Sequence, residues 1–356
     1  MDFERTKILF EKLKSDKKNN NCLELYEEAK FKKISLFDLL EEKDPSDKDK
    51  NGNIISPLNA FERLLYLANI CSDGKRRITL QDFYESPVSL LVPEWIRINV
   101  ETGMKMKPEA DDLCGVEVPM SGSSVTPLYI TEAGDEESDL GEVTEGAEMP
   151  LINITERTKS IKARDFGRQI NLSYRVLRNR DLSEVKSIFW YIGFRIQEAK
   201  IGAVYNAILD GDGVSGGAPT INIETPGGLD NLKYEDLLSV FTDLEKFEMN
   251  RIICSKNGKL AILSLPEFKD PLAGSRLQFT GEVPTPLGAR IVQYGNATDS
   301  KIACFDKRFA VKKYIEQGLL IEVSKIIEQK FEKTAISEST AYSIFLKGAA
   351  RVLDAS

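Results

Sequence analysis

Leu182, Val185, Phe189, Ile192, Ile196, Ala199, Ala203 and Ala207 recur at three- and four-residue spacing, the period of one helix face. The spacing predicts an unbroken helix from Leu182 to about Leu209. At 1.5 Å per residue such a helix is about 42 Å long, a rod around which the rest of the chain must be arranged. Asp181 is a suitable N-cap, with Glu184 three residues on as a capping-box partner. Gly211 and Gly213 end the helix. Ile188, Trp190, Tyr191 and Phe194 put apolar bulk on its other faces, so its own chain or neighbours cover it on several sides.

The flanking sequence changes character along its length. Residues 1 to about 72 are charged and helical, with Phe3, Ile8, Leu9, Phe10 and Leu13 at loosely helical spacing. A second amphipathic stretch runs from Ile34 to Glu42. After the polar break at 44–53, a third begins near Ser56-Pro57 and carries Leu58, Phe61, Leu64, Leu65 and Leu67. From about Ile78 short β-prone runs are expected, Val125 to Ile130 among them. Glu132 to Glu148 holds eight acidic residues and no basic one. Arg157 to Arg180 holds eight basic residues against the single acid Asp165. With strand alternation at Arg168–Ser173, the two read as a long two-stranded excursion with limbs of opposite charge.

Residues 214–305 read as mixed α/β. Helices are expected from Tyr234 to Phe247 and from Gly258 to Ser264, and strands at Arg251–Cys254 and Ala289–Val292. The remainder is β-rich: Leu319, Ile321 and Val323 alternate with Leu320, Glu322 and Ser324, and Ala341 to Leu353 is strand-like with a break at Gly348. There is no internal repeat.

The chain has 356 residues, 42% hydrophobic and 29% charged, which excludes disorder of the whole and suggests about two domains. It contains no histidine. That removes Ser-His-Asp and Cys-His catalysis, His-ligated metals and histidine pH switches. A net charge of −8 argues against a basic nucleic-acid coat. Cys22, Cys71, Cys114, Cys254 and Cys304 form no C-x-x-C and read as free thiols of a reducing cytosol. Neither a signal peptide nor a membrane span is expected.

Gly211-Asp212-Gly213-Val214-Ser215-Gly216 matches G-x-G-x-x-G. A dinucleotide site needs that motif between a strand and a helix; here it follows a helix and leads into Pro219, so a helix-terminating loop is expected. Asp47, Asp49, Asn51 and Gly52 resemble the start of an EF-hand loop, but position twelve, which supplies the bidentate carboxylate, is Leu58. A polar turn is expected there. The acidic run reads as a solvated or partner-facing surface. The basic limb, with only Phe166 and Tyr174 interleaved, points to protein pairing more than to nucleic acid.

The collinear order of these features resembles the major capsid proteins of tailed double-stranded DNA phages, with the Hong Kong 97-type fold. Val143–Pro150 looks like the "EGA-x-x-P" element of the family's extended loop, the E-loop. Ile170–Leu177 looks like its returning strand and short turn, and 182–209 with Leu209–Gly213 like the spine helix and its "GDG" end. Pro286–Val292 resembles the "G-x-P-V" strand of the axial domain, with Ala289-Arg290 replacing the usual residues. Phe305-Asp306-Lys307 followed by Leu319–Val323 looks like the return into the peripheral domain. Leu80–Tyr84 and Leu91–Ile96 resemble the N-terminal arm of some members.

The resemblance implies an α+β Hong Kong 97-type capsid fold with an N-terminal helical arm, a two-stranded E-loop, a peripheral domain with a long spine helix, and an axial domain. The implied divisions are 1–77 (helical arm or scaffold-like region), 78–124 (arm leading into the peripheral domain), 125–168 (E-loop), 169–213 (peripheral domain with spine helix), 214–305 (axial domain), 306–340 (return strands) and 341–356 (C-terminal axial strand). It implies a structural subunit, not an enzyme, that self-assembles through hexamers and pentamers into an icosahedral shell around double-stranded DNA without sequence-specific binding. The implied setting is a virion assembled in the host cytoplasm, with portal, scaffold or maturation protease and cement proteins as partners, and no membrane. No cofactor, metal or catalytic residue is expected. The expected inter-subunit contacts are Glu136, Glu137, Asp139, Glu142, Glu145 and Glu148 on one limb and Arg157, Lys159, Lys162 and Arg164 on the other. Some family members cross-link a loop Lys to a distant Asn; Lys325–Ile336 contains no Asn, so no cross-link is expected. Residues 1–72 suit either a cleaved scaffold or a retained arm. An encapsulin-type shell around protein cargo is the alternative, and a carboxylate-dependent α+β enzyme is a third reading.

Overall fold

The computed structural model describes residues 4–19, 24–32, 34–47, 49, 56–70, 78–130, 154–156, 159–225, 227–269, 286–326 and 331–356. The chain divides into two compact units, one of Met1–Met106, Gly167–Arg195 and Leu319–Ser337, the other of Lys107–Phe166, Ile196–Gly318 and Glu338–Ser356. In chain order the helices are α1 (Glu4–Asn19), α2 (Glu24–Lys32), α3 (Leu36–Lys43), α4 (Ala60–Leu67), α5 (Leu80–Glu85), α6 (Val92–Lys105), α7 (Tyr174–Asn179), α8 (Leu182–Asp210), α9 (Tyr234–Asp243), α10 (Lys256–Ser264) and α11 (Pro266–Lys269). The strands are β1 (Val116–Pro119), β2 (Ser124–Val125), β3 (Leu128–Ile130), β4 (Ile154–Glu156), β5 (Ile161–Lys162), β6 (Arg164–Ser173), β7 (Thr220–Asn222), β8 (Arg251–Cys254), β9 (Arg290–Gln293), β10 (Lys301–Phe305), β11 (Val311–Ile326), β12 (Phe331–Ile344) and β13 (Ala350–Asp354).

The first unit is mainly helical, and its helix starts are chemically marked. Ser35 caps α3 by accepting from the Asp38 N–H. Asn59 and Glu62 form a reciprocal capping box at α4. The third amphipathic stretch therefore becomes helical at Ala60, not near Ser56-Pro57: the Ser56 hydroxyl accepts instead from the Asp47 N–H at 3.0 Å. Leu80–Glu85 and Val92–Lys105, in the region expected to hold β-prone runs, are α5 and α6. A Thr79–Asp82 capping box opens α5. In α6, Val92, Ile96 and Val100 bury at four-residue spacing, and a packed helix face overrides the strand preference of branched residues.

A buried polar knot joins α1, α3 and α4. The Arg63 guanidinium donates to the Asp44 carboxylate at 3.0 Å, to Ser46 Oγ at 3.0 Å and to the Asp44 carbonyl at 2.6 Å. Thr6 donates to the same carboxylate at 2.6 Å. Glu41 accepts from Ser46 and from the Ala60 N–H. Further along, Phe83, Trp95 and Phe189 stack edge-on at 6.1 and 5.8 Å. Helices α6 and α8 cross with backbone in contact. A Cβ on Gly103 would lie 2.1 Å from the Trp190 carbonyl oxygen, and one on Gly193 would lie 2.0 Å from that of Val100.

The second unit is built on a five-stranded sheet of order β7-β13-β10-β8-β9. Its outer pairs β7–β13 and β8–β9 are parallel and its inner pairs antiparallel. Both faces are covered. Ile253, Ala303, Phe305 and Val352 pack with Ile201, Val204, Tyr205 and Ile208 of α8. On the opposite face Ile252, Cys254, Ile302, Cys304 and Leu353 pack with Leu237 and Val240 of α9 and Ile262 of α10. Successive side chains of each strand thus enter different cores, which is why these strands read as continuous apolar runs.

The spine-like helix α8 matches its sequence expectation to within a residue. Glu184 pairs with Arg180 at 3.2 Å, while Asp181 Oδ1 accepts from the Ser183 N–H at 2.9 Å. A second sheet has the order β1-β11-β12-β6, with β1 parallel to β11. Only residues 327–330 separate β11 from β12, too few for a parallel crossover, so that pair is antiparallel.

Candidate functional site

Two short antiparallel ribbons define the excursion. β2 pairs with β5 through Ser124↔Lys162 and Val125↔Ile161. β3 pairs with β4 through Leu128↔Glu156, Tyr129↔Thr155 and Ile130↔Ile154. The candidate contacts Glu136, Glu137, Asp139, Glu142, Glu145, Glu148 and Arg157 lie outside the described residues, as does the Val143–Pro150 element. Lys159, Lys162 and Arg164 are described, and all three are exposed. Strand alternation explains the direction of Lys162: Ile161 is 7% exposed and packs with Tyr314 and Ala341, so its neighbour faces out.

Arg164 opens β6, which lies at the edge of its sheet. Most of this strand is exposed, only Leu172 being buried. A long edge strand leaves backbone groups open to another chain, while charged side chains along it restrict pairing to partners of complementary charge.

A groove of ≈ 360 Å³ runs beside this base. Lys162 and Arg164 line it together with Asp210 and Asp212, Asn206 and Tyr342, so cations and carboxylates share one polar recess. Asp212 is also a structural pin. Its Oδ1 accepts from the Val214 and Ser215 N–H groups at 2.9 and 2.5 Å; its Oδ2 accepts from Ser343 Oγ at 3.0 Å and the Ile344 N–H at 3.1 Å. Gly211 has φ 91°, a left-handed conformation suited to glycine. The G-x-G-x-x-G match is therefore a helix-terminating loop anchored to the end of β12.

Burial pushes the thiols of Cys114 and Cys254 up to about 12 and raises that of Cys304 as well, so none offers a thiolate nucleophile at neutral pH. Among the described residues no group of three or more metal-capable side chains occurs, and no helix is long and apolar enough to cross a membrane. Residues 50–55 of the EF-hand-like stretch lie outside the described residues.

Sequence reasoning missed the inner face of β12. Glu332, Thr334, Ile336, Glu338, Thr340 and Tyr342 are all buried. Glu338 pairs with Lys200 of α8 at 2.6 Å. The signal that could have found it is the period-two recurrence of this set in the sequence.

No protein-family model matches the chain, and no curated protein matches it. Solved structures do. A chain of the virus-like particle from Pyrococcus furiosus aligns at 12% identity with a TM-score of 0.51, over 73% of this chain and 98% of that one. The capsid of the cyanophage P-SCSP1u aligns at 13% identity and 0.49, over 69% and 87%. The SrpI encapsulin of Synechococcus elongatus aligns at 10% identity and 0.45, over 67% and 84%. The chain has an α+β Hong Kong 97-type capsid fold.

Proposed function

We propose that this chain is the shell-forming subunit of a phage capsid, closing through copies of itself into an icosahedral container for double-stranded DNA. The observation that carries the reading is the fold correspondence across 98% of the virus-like particle chain. The paired ribbons β2–β5 and β3–β4 and the exposed edge strand β6 support it, because a repeated subunit needs self-complementary surfaces around symmetry axes. Obligate interfaces of this kind bury more than about 2,000 Å². Ile188 and Tyr191 on α8 and Leu238 and Phe241 on α9 stay 40–60% exposed, apolar area available to such contacts.

In this reading Lys159, Lys162 and Arg164, with Arg157, meet the acidic limb or other acidic surface of neighbouring copies and set register more than affinity. The net charge of −8 is compatible with DNA forced in by a portal motor, since the wall need not bind it. Portal, scaffold or protease and cement proteins are the partners this role entails. Residues 4–67 act as a retained helical arm: the Arg63–Asp44–Thr6 knot and the Tyr26 hydroxyl's bond to the Leu90 carbonyl at 2.7 Å tie them into their unit.

Purified assemblies test the reading by their absorbance ratio at 260 and 280 nm. Nucleic-acid-rich particles support the phage shell. Closed particles filled with protein favour the encapsulin-type alternative.

A further inference from the structure

The first unit holds a cavity of ≈ 300 Å³, at the small end of the ligand-pocket range. Glu332 of β12 lines it and is only 1% exposed. Its Oε1 accepts from the Tyr84 hydroxyl. Its Oε2 is buried with no hydrogen-bond partner among the described residues. Buried carboxylate oxygens beside empty space are costly unless a donor or a cation arrives.

The other lining groups narrow what that partner is. Tyr84 and Tyr174 supply aromatic rings, and Gln81, Glu85 and Arg178 the polar wall. Arg178 donates its Nε to Gln81 at 3.1 Å, and Gln81 donates to Glu85 at 2.6 Å, so these three side chains are engaged with one another. A recessed carboxylate oxygen flanked by aromatic rings suits a cation on a slim apolar stem. It does not suit an anion, which would meet Glu332 and Glu85.

We propose that this cavity binds an alkylammonium group, with Glu332 Oε2 accepting the charge-assisted hydrogen bond and Tyr84 and Tyr174 packing on the methylene stem. Two sources share that chemistry: a free amine and a lysine side chain of a second copy. The inference rests on the geometry of this unit and stands whether or not the chain forms shells.

The site carries its own pH signature. Burial holds the Glu332 carboxyl up at about 7. Of the charged groups lining the cavity, Glu85 reinforces cation binding and Arg178 opposes it. Binding favours the ionised carboxylate, so it weakens as pH falls through about 7.

Saturation-transfer NMR of butylammonium chloride against the full chain tests the site, at pH about 8 and about 5. The expected result is a clear signal at the higher pH that drops about tenfold at the lower pH and in Glu332→Gln, the loss of one charge-assisted contact. Acetylation of assembled chains, read by mass spectrometry, separates the sources. One lysine protected in wild type and freed in Glu332→Gln identifies the second copy; no such lysine, with butylammonium still bound, identifies free amines. Butylammonium binding that ignores both pH and Glu332→Gln overturns the proposal. So does the absence of both binding and a Glu332-dependent protected lysine. The pH arm needs no variant, so a misfolded Glu332→Gln does not shelter it.

Discussion

Lys200 on α8 and Glu338 on β12 meet at 2.6 Å with side chains only 3% and 8% exposed. A fully buried ion pair is a poor source of net stability, because desolvating both charges offsets most of their attraction. Its loss is asymmetric. Lys200→Met strands the carboxylate, and Glu338→Leu strands the ammonium; each is expected to cost about 3–5 kcal/mol. The double variant is expected to recover most of that loss. Urea denaturation of the three variants checks it, and a double variant no better than either single one contradicts the pairing.

The Asp212 pin gives a second expectation. Asp212→Ala leaves the Val214, Ser215 and Ile344 N–H groups without their acceptor, at a cost of about 1–3 kcal/mol for each donor left buried and unsatisfied. Hydrogen exchange at Ile344 is expected to accelerate, reporting release of the β12 end from the helix terminus. Unchanged protection there sinks the idea.

Legibility in the sequence followed how local the determining physics was. Helix α8 was readable because its period repeats over eight turns, and β8 because an apolar run with flanking turns needs no partner to be recognised. Helix α6 was misread because Val92, Ile96 and Val100 favour strands intrinsically, and packing against α8 at Gly103 and Gly193 decides otherwise. The start of α4 slipped because Ser56-Pro57 is a good local signal, yet its serine is occupied by Asp47. Lys162 and Arg164 were legible as exposed charges. Glu332 and Glu338 were not, since burial of a carboxylate depends on partners more than a hundred residues away, Tyr84 and Lys200 among them.

Asp306 sets an acid limit. Burial alone pushes its carboxyl up, but the Arg308 guanidinium at 2.8 Å, the Arg308 and Glu248 N–H groups and the Asn250 amide outweigh that. They hold it at about 2, below its ordinary 3.8. A depressed pKa contributes stability that is complete above the unfolded value and lost as pH falls through the folded one. The contribution, about 2 kcal/mol, is therefore expected to fade between about pH 4 and pH 2. Thermal denaturation across that window checks it: Asp306→Asn is expected to be less stable at neutral pH and to show a flatter decline.

Charge reversal of the described basic residues probes the proposed assembly surface. Lys159→Glu, Lys162→Glu and Arg164→Glu together are expected to leave the monomer's melting temperature nearly unchanged, since exposed charges contribute about 0–1 kcal/mol each. Assembly yield is expected to fall and its salt dependence to change. Light scattering across a salt series reads both, and an unaltered yield with unaltered salt sensitivity removes these residues from the interface.

A shell-forming subunit closes on copies of itself, and negative-stain electron microscopy of the expressed full chain reads that closure without a variant or a probe. The expected field holds closed, isometric particles of uniform diameter. A field of monomers or small oligomers, under conditions where the chain is folded, contradicts it.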